Sequence, residues 1–135
     1  MRRIDVFFYG LFMDEELLRD KGVQSSSLRA ASLKGFQLRI GQRATLVPSE
    51  TECVYGIVAS LSHREVDQLY SDPSLRDYRP EAVSATLPDG ETVPALCFNL
   101  IVPPAAEEHN PEYASRLRAL AERLLLPAEY IKTIQ

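Results

Sequence analysis

The residues best placed to do chemistry follow the first apolar run of the chain, in the segment Phe8-Tyr9-Gly10-Leu11-Phe12-Met13. A glycine ends a predicted strand there, and the acidic start Asp14-Glu15-Glu16 of a predicted helix follows. Such a junction leaves backbone N–H groups free near a helix N-terminus, and these can bind an anion. It is also the ordinary form of a strand–turn–helix connection. The segment is therefore a candidate anion-binding loop.

A second group of functional side chains lies between a predicted helix and a predicted hairpin, and it would close over the mouth of a barrel. It contains Asp72, Asp77, Tyr78 and Arg79. Asp72 precedes Pro73, which favours extended backbone at the aspartate. Asp77 has cationic neighbours, which keep a carboxylate ionised and make it a poor proton carrier at neutral pH. Taken alone, the segment also fits a solvated loop.

Other chemical motifs are missing from the sequence. It contains no nucleophile elbow, phosphate-binding P-loop, dinucleotide fingerprint or HExxH pattern. Cys53 and Cys97 stand far apart in apolar runs, and His63 and His109 are isolated. A zinc site needs a closer mixture of ligands. We expect buried reduced thiols, no metal and no cofactor.

The composition is that of an ordinary globular domain, with 45% hydrophobic and 25% charged residues among 135. A chain of this length buries enough surface for one core, so we expect a single domain over residues 1–135. Fifteen Lys and Arg against nineteen Asp and Glu give a net charge of −4, which does not favour nucleic acid. No apolar run reaches the roughly 20 residues that span a bilayer, and no signal peptide is found. We predict a cytoplasmic protein without membrane or nucleic-acid partners.

The apolar pattern predicts an α+β chain with about six strands and three helices. Strands are predicted over residues 4–9, 36–40, 44–48, 54–61, 82–87 and 92–98, with a loop over 24–30. Helices are predicted over residues 14–21, 63–70 and from Pro111 to the segment before Pro127, followed by a short helical turn. Ser62 and Glu65 form a capping box, and Pro88-Asp89-Gly90 predicts a hairpin turn.

Together and in this order, these features resemble the γ-glutamylcyclotransferase-like family, which includes the AIG2-like proteins. Members open with a strand and a Tyr-Gly-[Ser/Thr]-x-[Met/Leu] loop, matched here by Tyr9-Gly10-Leu11-Phe12-Met13. The resemblance covers nearly the whole chain. Its later matches are Leu33–Leu38, Ala44–Pro48, Val54–Val58, the capped helix, the Asp89-Gly90 hairpin and Leu126–Ile131.

The resemblance implies a small mixed β-barrel with flanking helices and one ligand cavity, between the Tyr9–Met13 loop and the Ser71–Tyr78 loop. Catalytic members cleave γ-glutamyl amides to 5-oxoproline and a free amine without a cofactor, because the α-amine of the substrate attacks its own γ-carbonyl. By resemblance, the loop from Tyr9 to Phe12 would bind the glutamyl α-carboxylate, and Tyr78 would line the pocket. These substrate-binding candidates are Tyr9, Gly10, Leu11, Phe12 and Tyr78.

The chain departs from the family pattern twice. Leu11 replaces the usual Ser or Thr, which removes a hydroxyl and keeps the backbone donor. Pro73 stands where the family has its catalytic Glu, and the nearest carboxylate is Asp72, one residue earlier and one methylene shorter. Asp72 is therefore the candidate general acid/base. Two functions remain open: a cyclotransferase of small γ-glutamyl compounds, or a non-catalytic module that keeps the cavity for an amino-acid-like ligand. The leaving amine and the oligomeric state do not follow from the sequence.

Overall fold

The computed structural model describes residues 2–135, and this range contains five β-strands and four α-helices. The strands are β1 (Arg3–Phe8), β2 (Ser26–Ile40), β3 (Ala44–Ser62), β4 (Tyr78–Thr86) and β5 (Thr92–Leu100). The helices are α1 (Glu15–Asp20), α2 (His63–Leu69), α3 (Pro111–Arg123) and α4 (Ala128–Ile131). Two short 3-10 turns cover Leu11–Met13 and Pro73–Leu75.

The strands form a closed barrel in the order β1-β3-β2-β4-β5. Neighbouring strands are antiparallel except at the closure, where β5 returns beside β1 in parallel with Val6 opposite Leu96. The barrel is therefore mixed, and helices flank it. This confirms the predicted α+β class and the small mixed barrel.

The long β2–β3 hairpin corrects two predictions. Residues 44–48 and 54–61, predicted as separate strands, belong to the single strand β3. Most of the predicted loop over residues 24–30 belongs to β2. The pairing register shifts twice along this hairpin, between Ser26 and Arg29 and again beyond Lys34. Each irregularity interrupts the two-residue alternation of buried and exposed side chains, so the sequence pattern conceals the continuity of the strand.

Helix α3 packs one apolar face inward and brings its first turn to the end of β1. The side-chain oxygen of Asn110 accepts a hydrogen bond from the backbone N–H of Tyr113 at 3.1 Å, and Pro111 occupies the first turn, as predicted. Ala114 and Leu117 are buried on the inner face. Across residues 2–135, every helix is too short or too polar to cross a membrane.

Helix α2 begins at the predicted capping box. The Ser62 hydroxyl accepts from the backbone N–H of Glu65 at 3.2 Å, and the Glu65 carboxylate accepts from the N–H of Ser62 at 2.8 Å. The same carboxylate accepts from the N–H of Gln24 at 2.9 Å, which ties α2 to the segment before β2. Burial acts to raise the pKa of Glu65, but the two backbone donors, with help from Arg3, lower it overall.

We expect Glu65→Gln to reduce the acid sensitivity of the fold. Because the pKa of Glu65 is lower folded than unfolded, its carboxylate stabilises the fold above about pH 4.3 and stops doing so as the pH falls through the folded value. At about pH 7 the variant should lose about 1 kcal/mol of unfolding free energy, and at about pH 2.5 much less. Urea unfolding at both pH values measures this. Asp67→Asn, at an exposed position of α2, is the control; equal losses by Glu65→Gln at both pH values would contradict the expectation.

Candidate functional site

A cavity of about 210 Å³ lies at the end of the barrel where β1 and β5 finish and where β3 and β4 begin. Typical sites for drug-sized ligands have roughly 300–1,000 Å³, so this cavity suits a compound of amino-acid size. Two more open depressions of about 350 and 380 Å³ lie on the outer surface beside α1 and α3. The barrel cavity is lined by Phe7, Phe8, Tyr9, Gly10, Leu11, Phe12, Gln42, Arg43, Ala44, Tyr70, Leu75, Tyr78, Phe98 and Tyr113.

All five substrate-binding candidates line this one cavity: Tyr9, Gly10, Leu11, Phe12 and Tyr78. The loop after β1 turns at once into the 3-10 turn, which is closed by the N–H of Met13 donating to the carbonyl of Gly10 at 3.0 Å. A 3-10 turn leaves its first N–H groups without a partner inside the turn. The structure thus brings the predicted residues together, and their role in binding stays a prediction.

Asp72 does not line the cavity, which corrects the position expected for it. Its carboxylate is exposed and accepts from the backbone N–H of Ser74 at 2.9 Å and from its hydroxyl at 2.8 Å. These hydrogen bonds hold the pKa of Asp72 below its ordinary value. The physical reason is that Pro73 begins a 3-10 turn, so Asp72 becomes its cap. Leu75 is the residue of that turn that reaches the cavity. The catalytic role of Asp72 stays a prediction.

Two cavity tyrosines use their hydroxyls to hold the barrel together. Tyr9 is buried, and its hydroxyl donates to the carbonyl of Phe98 at 2.7 Å, across from β1 to β5. The hydroxyl of Tyr78 donates to the carbonyl of Ala44 at the start of β3. Burial raises the pKa of Tyr78 to about 12 and that of Tyr9 well above its ordinary value. Both side chains are therefore protonated donors at neutral pH.

Two further tyrosines line the cavity, and neither was predicted from the sequence as a site residue. The ring of Tyr70 stacks on Phe98 with centroids 3.9 Å apart and meets Phe12 edge-on at 5.9 Å. The hydroxyl of Tyr113 lies beside Gly10 and Leu11 of the cavity-lining loop. Burial raises the pKa of both phenols, so both can donate to a ligand.

We expect Gly10→Ala to disturb the site through Tyr113. The new methyl carbon would lie 2.6 Å from the Tyr113 hydroxyl oxygen, whereas the extended backbone of Gly10, with φ of −114°, accepts alanine without strain. The variant should lose about 1–2 kcal/mol of unfolding free energy, as overpacked variants do. Tyr113→Phe in the same chain removes the clashing oxygen and should recover most of the loss, measured by urea unfolding as a double-mutant cycle. A double variant no more stable than Gly10→Ala would refute the clash.

The charge that lines the cavity is positive. In the part of the chain that the structure describes, no Asp or Glu lines the cavity, and Arg43 is the one cation that does. No group of three or more His, Cys, Asp or Glu side chains within residues 2–135 is arranged to hold a metal ion. Cys97 is buried, and burial raises the pKa of its thiol to about 12. Because the cation Arg43 lines the cavity and no carboxylate does, the lining favours an anionic group on its ligand.

Most of the chain matches a known protein family. A model of the family "Gamma-glutamyl cyclotransferase, AIG2-like" matches residues 6–116. The chain belongs to this family. The matched range runs from β1 through the cavity-lining loop and the barrel into α3, and it confirms the resemblance identified from the sequence. No match was found among curated proteins.

Solved structures with this fold include members described by the family name. A γ-glutamyl cyclotransferase aligns with a TM-score of 0.82 and 19% identity, over 99% of this chain and 89% of that one. An uncharacterized human protein aligns with a TM-score of 0.82 and 21% identity, over 100% of this chain and 89% of that one. A mouse AIG2-like protein aligns with a TM-score of 0.57 and 16% identity, over 83% and 91% of the two chains. At these identities the likeness shows the fold alone.

Proposed function

We propose that this γ-glutamyl cyclotransferase family member is a binding module: it binds a γ-glutamyl or similar amino-acid-like compound in the barrel cavity and does not cyclise it. Family membership supports the class of ligand. The gathering of Tyr9–Phe12 and Tyr78 around a cavity of amino-acid size supports the location. One observation carries the proposal: within residues 2–135, no carboxylate lines the cavity.

A carboxylate matters because cyclisation must move a proton. The α-amine of a γ-glutamyl amide attacks its γ-carbonyl, and the new N–C bond closes the 5-oxoproline ring. The amide C–N bond then breaks, and the proton released by the attacking nitrogen must reach the departing amine. A side chain that carries this proton works best when its pKa lies near the working pH.

The titratable side chains that line the cavity hold their protons at neutral pH. The pKa of Tyr78 is raised to about 12, and burial also raises the pKa of Tyr9, Tyr70 and Tyr113. The guanidinium of Arg43 stays charged in proteins. These groups accept no proton at neutral pH, so they fit the binding of a ligand better than proton transfer.

Calorimetric titration with γ-glutamyl-L-alanine tests the binding. We expect saturable binding by the parent protein and a loss of at least about tenfold in affinity for Leu75→Trp, because the larger ring would fill the cavity that Leu75 lines. Leu87→Trp, a matched substitution at a half-buried position beside the β4–β5 turn, should bind like the parent. Absence of binding by the parent, or equal affinities for the two variants, would overturn the proposal.

A second candidate is cyclisation itself, with Asp72 as general acid/base, and the family model over residues 6–116 favours it. A 5-oxoproline assay with γ-glutamyl-L-alanine separates the two candidates, because a binding module releases none. Release that Asp72→Asn abolishes and Asp67→Asn retains would replace the binding-module proposal and make Asp72 the proton carrier. Both positions are exposed, so neither substitution disturbs the core.

A further inference from the structure

Arg43 reaches the cavity from a different part of the chain than the Tyr9–Phe12 loop, which is proposed to bind the glutamyl head group. That loop follows β1, whereas Arg43 reaches the cavity from the β2–β3 turn, immediately before Ala44. Within residues 2–135 it is the one cation in a cavity that no carboxylate lines. A guanidinium in a cavity that no carboxylate lines attracts an anionic group.

The guanidinium is held in place before any ligand arrives. One terminal nitrogen donates to the carbonyl of Ser74 at 3.3 Å, and the other donates to the Asp77 carboxylate at 3.1 Å. Its central carbon lies 6.0 Å from the centroid of the Tyr78 ring. Three contacts from the segment that follows α2 therefore orient one side chain from the β2–β3 turn, and this orientation reduces the entropy lost on binding.

These contacts leave the guanidinium free to bind more. It has five N–H donors, of which the contacts to Ser74 and Asp77 occupy two. The side chains of Arg43 and Asp77 are 43% and 59% exposed, so solvent screens their ion pair. The ion pair therefore leaves the charge of Arg43 available to a ligand. Asp77 is thus a positioning residue, and Arg43 keeps both charge and donors for a ligand.

We infer that Arg43 determines specificity by binding a carboxylate on the part of the ligand that lies beyond the γ-glutamyl group. The cavity then selects compounds whose amide nitrogen carries an acidic substituent over compounds in which that substituent is neutral. This inference rests on the proposed function, since it assumes that a γ-glutamyl compound occupies the cavity.

The test uses two probes that differ in one carboxylate, γ-glutamyl-L-alanine and γ-glutamyl-ethylamide. Calorimetry on the parent protein should give the acidic probe at least about tenfold higher affinity, a ratio that falls as ionic strength rises. Arg43→Gln should bring the ratio close to one, and Arg43→Lys should retain part of it. Arg39→Gln is the control, because Arg39 lies on the same hairpin and does not line the cavity.

The ratio of two affinities on one variant separates recognition from structural damage, which would weaken both probes alike. Equal binding of the two probes by the parent would overturn the role of Arg43 and leave the proposed function standing. A preference that persists in Arg43→Gln would do the same. If the parent bound neither probe, the proposed function would be overturned and this inference with it.

Discussion

Gly56→Ala is expected to destabilise the barrel by about 3 kcal/mol or more, the upper range for overpacked cores. A methyl group on Gly56 would lie 2.2 Å from the carbonyl oxygen of Phe8 and 2.9 Å from the ring of Phe7. The first of these atoms belongs to the backbone of β1, which cannot move without breaking its pairing with β3. Because the Tyr9–Phe12 loop follows directly from β1, we also expect ligand affinity to fall.

Urea unfolding and the titration with γ-glutamyl-L-alanine measure the two effects. Gly90→Ala is the matched control, since nothing lies within 4 Å of the new methyl and the cost is only that of a φ of +92°. That conformation costs an alanine about 1 kcal/mol. If the two substitutions destabilised the protein equally, the close approach of β1 would not be the reason that position 56 requires glycine.

Asn99→Ala is expected to cost about 3 kcal/mol and to weaken ligand binding, because it removes a buried hydrogen-bond partner and leaves a void. The Asn99 side chain accepts from the backbone N–H of Leu46 at 3.2 Å and donates to Glu81 at 3.1 Å. Thr45 adds a neighbouring link, since its hydroxyl accepts from the N–H of Leu100 at 2.9 Å. These bonds join the start of β3 to the end of β5, beside the cavity.

Glu81→Gln provides the control for Asn99→Ala. It changes the other partner of Asn99, but Glu81 is exposed and can bind water instead, so we expect a loss below about 0.5 kcal/mol. Urea midpoints of both variants, together with their affinities for γ-glutamyl-L-alanine, measure the difference. Equal stability of the two variants would show that the link to Leu46 adds nothing to the fold.

Much of the fold could be predicted because its signals are local. The capping box of Ser62 and Glu65 and the cap of Asn110 each join residues three positions apart, so residue types and spacing suffice to predict them. The β4–β5 turn closes with the N–H of Leu87 donating to Glu91 at 2.7 Å, and Gly90 has the positive φ that such a turn favours. In each case all the partners of the interaction lie within a few residues, so the local sequence is enough to predict it.

The β2–β3 hairpin was harder to predict, for a reason that also concerns the site. Its register shifts interrupt the alternation that marks a strand, and they become visible only when the two strands are paired. The turn of this hairpin places Gln42, Arg43 and Ala44 in the wall of the cavity. Because these residues reach the cavity only through the position of the turn, the sequence around them does not identify them as site residues.

The sequence by itself determined the family, the mixed barrel and the loop from Tyr9 to Phe12 that lines the cavity. Only the tertiary structure decided which other side chains join that loop. Tyr113 lies about a hundred positions further along the chain than Gly10, and it becomes a neighbour only because α3 packs its apolar face inward. Arg43 reaches the cavity from a different element, the turn of the β2–β3 hairpin.

The tertiary structure also decided the position of the carboxylate. Sequence comparison placed Asp72 near the family's catalytic position, but the side chain accepts two hydrogen bonds from Ser74, two residues away. Entering the cavity would cost Asp72 those hydrogen bonds and its hydration, and the desolvation of an unpaired charge is strongly unfavourable. The sequence determines that an acid is present in this segment, and the balance between local hydrogen bonding and burial determines that it stays outside.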